Sequence, residues 1–256
     1  MVIVASLFSV VAVSLLSLLG LMTLPLGEER VRKIAKFFVS FAVGALLGDA
    51  FIHLIPETLG VGSSRGAQIR QTAWILGGML VFFLIEKFLR HEPRALHKHF
   101  SGRAGATRPE VAAINVLGDT VHNFIDGVLI GASYLTSTPL GVSTTLAVLL
   151  HEIPHELSDF AILVHSGLPM RKAVWVNLAS ASVAILGTST VLVVGPFGGR
   201  ALLSALLAAT AGGFVYLAAA DLIPELQRDR SLKGSLAQVG LMIGGVGVMA
   251  LFVLIE

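Results

Sequence analysis

Cysteine is absent from this sequence of 256 residues, so the chain can form no disulfide and offers no thiolate to a metal ion. Charged side chains are also scarce, at 13% of the residues, whereas 55% of the residues are hydrophobic. A soluble globular domain carries about 25% charged residues, and a mean hydropathy of +0.85 lies outside that class. Most of the surface must therefore face lipid, and the sequence predicts an integral membrane protein.

Basic residues are in slight excess, with a formal net charge of +2 and a pI of about 9.2. They do not indicate a nucleic-acid partner, because they flank the apolar segments, where lipid head groups and membrane topology account for them. The partner that this pattern predicts is the lipid bilayer.

Eight apolar stretches are long enough to cross the hydrocarbon core of a bilayer, which takes about 20 residues in a helix. Short connectors separate them, apart from a loop over residues 91–110, so we expect one all-α polytopic domain over residues 1–256. The predicted spans 1 to 8 lie near residues 2–25, 34–58, 72–90, 111–135, 139–166, 170–195, 200–225 and 235–256.

Lysine and arginine divide unevenly between the two sides of the predicted bundle. Of the 18 basic residues, fifteen lie in or beside connectors 1–2, 3–4, 5–6 and 7–8, and three (Arg65, Arg70 and Arg200) lie on the other side. Positively charged connectors stay in the cytoplasm. We therefore expect these four connectors to be cytoplasmic and both termini to be extracytoplasmic, in the plasma (inner) membrane.

A short motif occurs twice, near the ends of spans 2 and 7. Leu54–Glu57 and Leu222–Glu225 both read Leu-Ile-Pro-Glu, and the span after each copy carries a glycine pair, at residues 77–78 and 244–245. Because spans 2 and 7 run in opposite directions by the loop count, the copies indicate an inverted repeat, with a chance match as the competing interpretation. Transporters built in this way bind their substrate near the membrane midplane.

Polar side chains line stripes of spans 4 and 5, deep within apolar segments. Residues i and i+4 share one face of a helix, which aligns His122 with Asp126 and His151 with His155, while Glu152 adjoins His151. Each ionisable group inside a span costs on the order of 2.5–3.5 kcal/mol, so we expect a cation to compensate the cluster. Imidazole and carboxylate ligands suit zinc, and less selectively iron, manganese, cobalt or cadmium.

The segment His151–His155 is also an H-E-x-x-H motif, in which two histidines bind zinc and a glutamate acts as the base of a metalloprotease. However, Pro154 distorts the helix that would aim both imidazoles, and the matching stripe of span 4 has no task in proteolysis. We therefore expect a divalent-metal carrier rather than an enzyme. An intramembrane metalloprotease is the alternative, and a metal-sensing membrane protein without flux is a third class.

The motifs of spans 4 and 5 resemble those of the ZIP (Zrt/Irt-like) family of divalent-metal transporters, in the branch marked by H-N-F-x-D-G and H-E-x-P-H-E. Here they are His122–Gly127 and His151–Glu156, and Gly48–Glu57 and Asp221–Glu225 resemble spans 2 and 7 of that branch. The resemblance implies eight transmembrane helices in a 3+2+3 inverted-repeat arrangement. It also implies transport of zinc or a similar metal toward the cytoplasm, by a homodimer whose spans 1, 4, 5 and 6 move against spans 2, 3, 7 and 8.

By this resemblance the metal lies between spans 4 and 5, and zinc is the transported substrate, with no other cofactor. The family's ligand positions correspond to His122, Asn123, Asp126, His151, Glu152 and His155. Asn177 in span 6 corresponds to a further ligand position, and there the match is weaker. Some relatives place a glutamate where His155 stands, and that carboxylate can bridge two metals. The histidine therefore leaves the number of bound metals open.

Further polar residues suggest stations along a path for the ion. Asp49, His53 and Glu57 fall on one α-helical face of span 2, and Asp221 and Glu225 are their counterparts in span 7. By the predicted topology Glu57 would receive ions at the outer end and Glu225 would release them at the inner end. The connector 91–110 contains three histidines that either capture metal or belong only to a solvated basic loop: His91, His97 and His99.

Overall fold

The computed structural model describes residues 1–19, 28–60, 62–89, 109–227 and 231–254. Within these ranges the chain is helical and contains no β-strand. The α-helices are α1 (Val2–Ser14), α2 (Glu28–Gly48), α3 (Ile55–Leu59), α4 (Arg65–Leu89), α5 (Pro109–Thr136), α6 (Thr138–His165), α7 (Met170–Ala181), α8 (Val183–Tyr216), α9 (Ile223–Leu226) and α10 (Leu232–Phe252). A 3-10 segment extends α1, and π-helical segments join α2 to α3 and α8 to α9.

Four helical stretches of the described chain are long and apolar enough to cross a membrane. They are Phe37–Leu59, Arg65–Lys87, Met170–Ala220 and Leu232–Phe252. The helices α5 and α6, at 28 residues each, are also long enough for this, but they carry the buried polar residues described below. The composition of the described helices therefore fits a membrane protein.

The predicted spans agree well with the apolar part of each helix, but less well with the residues at which the helices begin and end. Helices α5 and α6 begin and end within two residues of the predicted spans 111–135 and 139–166. By contrast, α2 begins at Glu28 rather than 34, and α4 begins at Arg65 rather than 72. Hydropathy identifies residues that prefer lipid, whereas the backbone hydrogen bonds of a helix continue into polar turns beyond the membrane core.

The long helix α8 is broken at Gly199, between the predicted spans 6 and 7. Gly199 has a φ of 62°, in the left-handed region that favours glycine, and it follows Pro196, which has no backbone N–H to donate. The stretch Met170–Ala220 has 51 residues, which would extend about 75 Å as one straight helix. That length is more than twice the thickness of the hydrocarbon core, so the break at Gly199 divides it.

Glycines allow pairs of helices to cross with their backbones in contact. At the crossing of α2 and α10, a β-carbon built on Gly44 would lie 2.0 Å from the Met242 carbonyl oxygen, and one on Gly245 would lie 2.2 Å from that of Phe41. One turn later Gly48 faces Val246, so α2 and α10 run in the same direction. Any larger side chain at these glycines would push the two helices apart.

The crossing of α4 and α8 repeats this arrangement. A β-carbon on Gly78 would lie 2.0 Å from the Ala209 carbonyl oxygen, and one on Gly212 would lie 1.9 Å from that of Ile75. The glycines of the two crossings correspond by a nearly constant offset in sequence, since 44 + 168 = 212 and 78 + 167 = 245. The two crossings are therefore matched features of the two halves of the chain.

Two π-helical segments show the same offset. They are Asp49–Leu54 and Leu217–Leu222, which are 168 residues apart, and each precedes an Ile-Pro-Glu sequence. Pro56 cannot donate to the carbonyl of Ile52, and the next available N–H, five residues along, closes the wider turn of a π-helix. The π-helix replaces the α-helical turn on which the predicted shared face of Asp49, His53 and Glu57 depends.

Helix α2 lies at the centre of the bundle, and α4 and α10 lie at its periphery. In Phe37–Leu59, 67% of the residues in the most apolar part are buried. The corresponding shares are only 6% in Arg65–Lys87 and 11% in Leu232–Phe252. The apolar outer faces of the peripheral helices are the surface expected to contact lipid.

Candidate metal centre

Four ionisable side chains from α5 and α6 converge on one point. The Nε2 atom of His122 lies 3.1 Å from Glu152 Oε1 and 3.6 Å from Asp126 Oδ2. The Nε2 atom of His151 lies 3.2 Å from Asp126 Oδ2 and 3.3 Å from Glu152 Oε1. One nitrogen or oxygen atom from each of the four residues lies within 4.8 Å of all the others. We call these four residues the metal centre.

The local sequence explains why these side chains meet. Helices α5 and α6 are joined by a single residue, Ser137, which has an extended backbone and caps α6 by accepting a hydrogen bond from the Leu140 N–H at 3.2 Å. The two helices therefore form an antiparallel hairpin. The i, i+4 spacing of His122 and Asp126 keeps both side chains on one face of α5, opposite His151 and Glu152 on α6.

The hydrogen bonds of His151 leave a lone pair directed into the metal centre. Its Nδ1 atom lies 3.1 Å from the carbonyl oxygen of Ala147, which can only accept, so Nδ1 carries the proton and Nε2 is free to bind a cation. The His151 side chain is fully buried and packs against the ring of Phe214 from α8, with ring centroids 6.2 Å apart. Asp126 is also fully buried, and neither of its carboxylate oxygens accepts a hydrogen bond within the described part of the chain.

These lone pairs repel one another unless a proton or a metal ion lies between them. Two imidazoles and two carboxylates at such distances are a four-ligand set of the kind that zinc prefers, and other divalent transition metals accept it. The side chains of the metal centre differ in their exposure to solvent: that of His122 is 18% exposed, whereas that of His151 is fully buried. The metal centre is therefore more open on the side of His122 than on that of His151.

Asn123 and His155, the two other predicted ligands on these helices, adjoin the metal centre but do not belong to the group of four. The ring of His155 is stacked on that of His122, with centroids 5.1 Å apart and an angle of 22° between the planes. The Asn123 amide nitrogen donates to the carboxylate of Asp119 at 2.7 Å and to its backbone carbonyl at 3.0 Å.

Asn177, the candidate from span 6, lies on α7 and is 1% exposed. Its amide nitrogen donates to a carboxylate oxygen of Glu156 and, at 3.4 Å, to the backbone carbonyl of Ser17. Asn177 therefore faces α6 one turn away from the metal centre.

The predicted path residues of span 2 have separate surroundings. The Asp49 carboxylate accepts a hydrogen bond from the Thr144 hydroxyl of α6 at 3.1 Å. The Nε2 atom of His53 lies 2.8 Å from the Met249 carbonyl oxygen, to which it donates, on α10. Glu57 is exposed. The side chains of Asp221 and Glu225 lie outside the described residues, as do His91, His97 and His99.

Three carboxyl groups next to the metal centre were not among the predicted site residues: Asp119, Glu156 and Asp159. Asp119 is three residues before His122, and Asp159 is four residues after His155, so both continue the predicted polar stripes by one turn. The periodicity could have identified them, since Glu156 also lies four residues after Glu152.

The chain is similar in sequence to known proteins of one family. Residues 1–106 and 91–253 match the family profile described as ZIP Zinc transporter. The chain is 33% identical over 308 residues to the protein named Zinc transporter SLC39A7 of Homo sapiens, an alignment that covers 90% of this chain and 66% of that protein. It is 32% identical over 298 residues to Zinc transporter ZIP13 of Danio rerio, covering 96% of this chain and 85% of that protein.

A third relative is Zinc transporter ZIP4 of Mus musculus, which is 34% identical over 289 residues, covering 87% of this chain and 43% of that protein. The chain spans about two thirds of the length of the SLC39A7 relatives. These relatives are named as transporters, and the comparisons give no support to the metalloprotease alternative.

Proposed function

The chain belongs to the ZIP zinc transporter family, and from this premise we propose that it carries divalent transition-metal ions, zinc first among them, across a membrane. The observation that carries the proposal is the convergence of His122, Asp126, His151 and Glu152 inside the helical bundle. Four groups, three of them buried, that direct lone pairs at one another have no stable arrangement without a positive charge between them.

The ligand chemistry suits transit rather than permanent retention. A structural zinc site holds its metal with several thiolates in a closed cage, and this chain has no cysteine. Imidazole and carboxylate ligands can replace the water around a zinc ion and still release it, as conduction requires. Asn123 and His155 adjoin the metal centre and are proposed to take part in passing the ion.

We place the metal centre in a single domain of eight transmembrane helices, arranged as a 3+2+3 inverted repeat. The matched glycine crossings and the matched π-helical segments support the repeat, because the members of each pair lie about 168 residues apart in sequence. The parallel crossing of α2 and α10 supports the number of spans. In a chain of eight spans, spans 2 and 8 run in the same direction, as α2 and α10 do, and the break at Gly199 would separate spans 6 and 7.

Close glycine contacts also support two groups of spans that move against each other. Within the described part of the chain, the glycine contacts shorter than 3.4 Å between helices fall inside one group or the other, apart from the local contact of Gly198 with Leu202 across the break at Gly199. In the group of spans 2, 3, 7 and 8, these contacts connect α2 with α10, and α4 with the part of α8 after Gly199. In the group of spans 1, 4, 5 and 6, they connect α5 with α6 and with the part of α8 before Gly199. Backbones in contact hold each group together as a unit, which alternating access requires.

The proposed direction of transport is toward the cytoplasm, with both termini extracytoplasmic and the chain in the plasma (inner) membrane as a homodimer. The excess of basic residues in connectors 1–2, 3–4, 5–6 and 7–8 supports this orientation. The proposed path runs from Glu57 past Asp49 and His53 to the metal centre, and leaves by way of Asp221 and Glu225. His91, His97 and His99 of the connector 91–110 are proposed to capture metal on the cytoplasmic side.

Zinc uptake into liposomes tests the proposed function. The purified full-length protein is reconstituted around a zinc-sensitive dye, and zinc is added outside. We expect dye fluorescence to rise faster than in protein-free liposomes, and cadmium, iron or manganese to compete in proportion to its use as a substrate. No rise above protein-free liposomes, with a protein that is folded by size-exclusion chromatography, would refute the transport proposal.

A further inference from the structure

A shallow groove with a volume of about 490 Å³ lies on the outside of the bundle between α5 and α7. Its lining is apolar and includes Ala113, Val116 and Leu117 of α5, Val176 of α7, and Leu168, which lies just before α7. The side chain of Leu117 is 58% exposed, so the groove opens to the surroundings of the bundle. We call it the α5–α7 groove.

The lining of the α5–α7 groove requires no polar ligand. Among the described residues that form it, Thr120 alone has a polar side chain. Its hydroxyl donates to the Val116 carbonyl oxygen at 2.6 Å and lies 2.9 Å from the Ser180 hydroxyl. Because this hydroxyl already has hydrogen-bond partners within the protein, the groove suits an apolar chain better than a polar solute.

The length of the groove matches the acyl chain of one lipid leaflet. Its lining residues on α5 run from Ala112 to Thr120, which is a rise of about 12 Å at 1.5 Å per residue. One leaflet contributes about 15 Å to a hydrocarbon core about 30 Å thick. Connectors 3–4 and 5–6 precede α5 and α7, so the groove lies in the leaflet that the count of basic residues predicts to be cytoplasmic.

Two cationic side chains lie at the start of α7, beside the α5–α7 groove. Arg171 and Lys172 are both exposed, and neither forms an ion pair among the residues that the structure describes. Lys172 precedes the groove residue Val176 by four residues, so both lie on one face of α7. Trp175 is 63% exposed, and an exposed tryptophan next to basic residues is typical of the membrane–water interface.

From the apolar groove and its two adjoining cations, we infer that this surface binds an anionic phospholipid, with one acyl chain in the groove and the phosphate at Arg171 and Lys172. Basic side chains at the edge of an intramembrane pocket attract negatively charged head groups, while their aliphatic stems contact apolar surface. In phosphatidylcholine the choline cation cancels the charge of the phosphate, so a lipid with a net negative charge is favoured. The inference goes beyond the proposed transport function and does not depend on it.

Fluorescence quenching by brominated lipids tests the lipid site, because the chain has two tryptophans and one of them lies beside it. The full-length Trp74→Phe protein is reconstituted in phosphatidylcholine bilayers without zinc, so Trp175 is the source of the indole fluorescence. We expect phosphatidylglycerol with brominated acyl chains to quench Trp175 roughly twofold more than brominated phosphatidylcholine at the same mole fraction. Equal quenching by the two lipids overturns the inference, whatever the result of the zinc uptake assay.

The other tryptophan, Trp74 on α4, provides a matched control. It is 49% exposed and follows the exposed Arg70 by four residues, as Trp175 follows Arg171. The residue after Arg70 is Gln71, however, where α7 has a lysine. In the Trp175→Phe protein we expect the two brominated lipids to quench Trp74 equally. A preference for phosphatidylglycerol of the same size at both tryptophans would reflect a general attraction to exposed arginine, and would overturn the assignment to the groove.

Variants of exposed residues in the Trp74→Phe protein separate the effect of charge from that of shape. Arg171→Gln with Lys172→Gln removes both cations and should abolish the preference for phosphatidylglycerol, whereas Lys172→Arg keeps the charge and should retain it. Ala113→Phe fills the groove and leaves both cations in place, and it should also abolish the preference. An undiminished preference in Ala113→Phe overturns the groove as the binding place of the acyl chain, and one in the double glutamine variant overturns the role of the cations.

Discussion

His151 is the residue on which the metal centre depends most, because its hydrogen bond to the Ala147 carbonyl aims Nε2 at Asp126 and Glu152. We expect His151→Ala or Asp126→Ala to reduce zinc uptake by roughly 100-fold, since each removes one of four ligands. Both variants should retain the elution volume and helicity of the unmodified protein. Uptake within threefold of normal in both variants would contradict the proposed site.

Protons compete with the metal for the imidazoles of His122 and His151. Imidazole binds a metal only through a neutral nitrogen, and a free histidine becomes protonated near pH 6.5. We therefore expect zinc uptake to fall as the external pH is lowered through about 6, and to recover when the pH is restored. Uptake at pH 5 that equals uptake at pH 7.5, measured in the same liposomes, would contradict imidazole ligation.

At the scale of the elements, neighbouring glycines have different surroundings and provide a matched pair of variants. A β-carbon on Gly78 would lie 2.0 Å from the Ala209 carbonyl oxygen, whereas one on Gly77 would meet nothing within 4 Å. We expect Gly78→Ala to destabilise the protein by about 1–3 kcal/mol through separation of α4 and α8. Gly77→Ala should be neutral or slightly stabilising, because alanine favours a helix by about 1 kcal/mol over glycine.

Thermal unfolding in detergent measures both glycine variants. The outcome that would contradict the crossing is equal stability for Gly77→Ala and Gly78→Ala. The sequence predicted the two glycine pairs as repeated features, but only the helix crossings identify Gly78 and Gly245 as the members whose backbones touch a neighbouring helix.

At the scale of the whole molecule, the absence of cysteine makes the predicted topology directly testable. Ser64 and Lys233 are both exposed, and by the count of basic residues they lie on opposite sides of the membrane. In intact cells, a maleimide that cannot cross the membrane should label Ser64→Cys but not Lys233→Cys until the cells are opened. Labelling of Lys233→Cys in sealed cells would reverse the proposed orientation.

The amino-acid sequence by itself determined the class of protein, the family and the four residues whose side chains meet in the candidate metal centre. Composition dictated lipid contact, since a chain with 13% charged residues cannot cover a water-exposed surface. The family resemblance is confirmed by the match over most of the chain. The grouping of His122, Asp126, His151 and Glu152 could be predicted because helical periodicity is local, and i, i+4 pairs share a face wherever the helix lies.

Only the tertiary structure decided how residues from different helices meet. Asn177 faces Glu156, and His53 donates to the Met249 carbonyl, and neither of these contacts has a periodic signal in the sequence. They depend on the rotation and depth at which helices pack, which are set by close backbone contacts such as those of Gly44 and Gly78. The contacts of Asn177 and His53 could therefore be identified only after the helices were brought together.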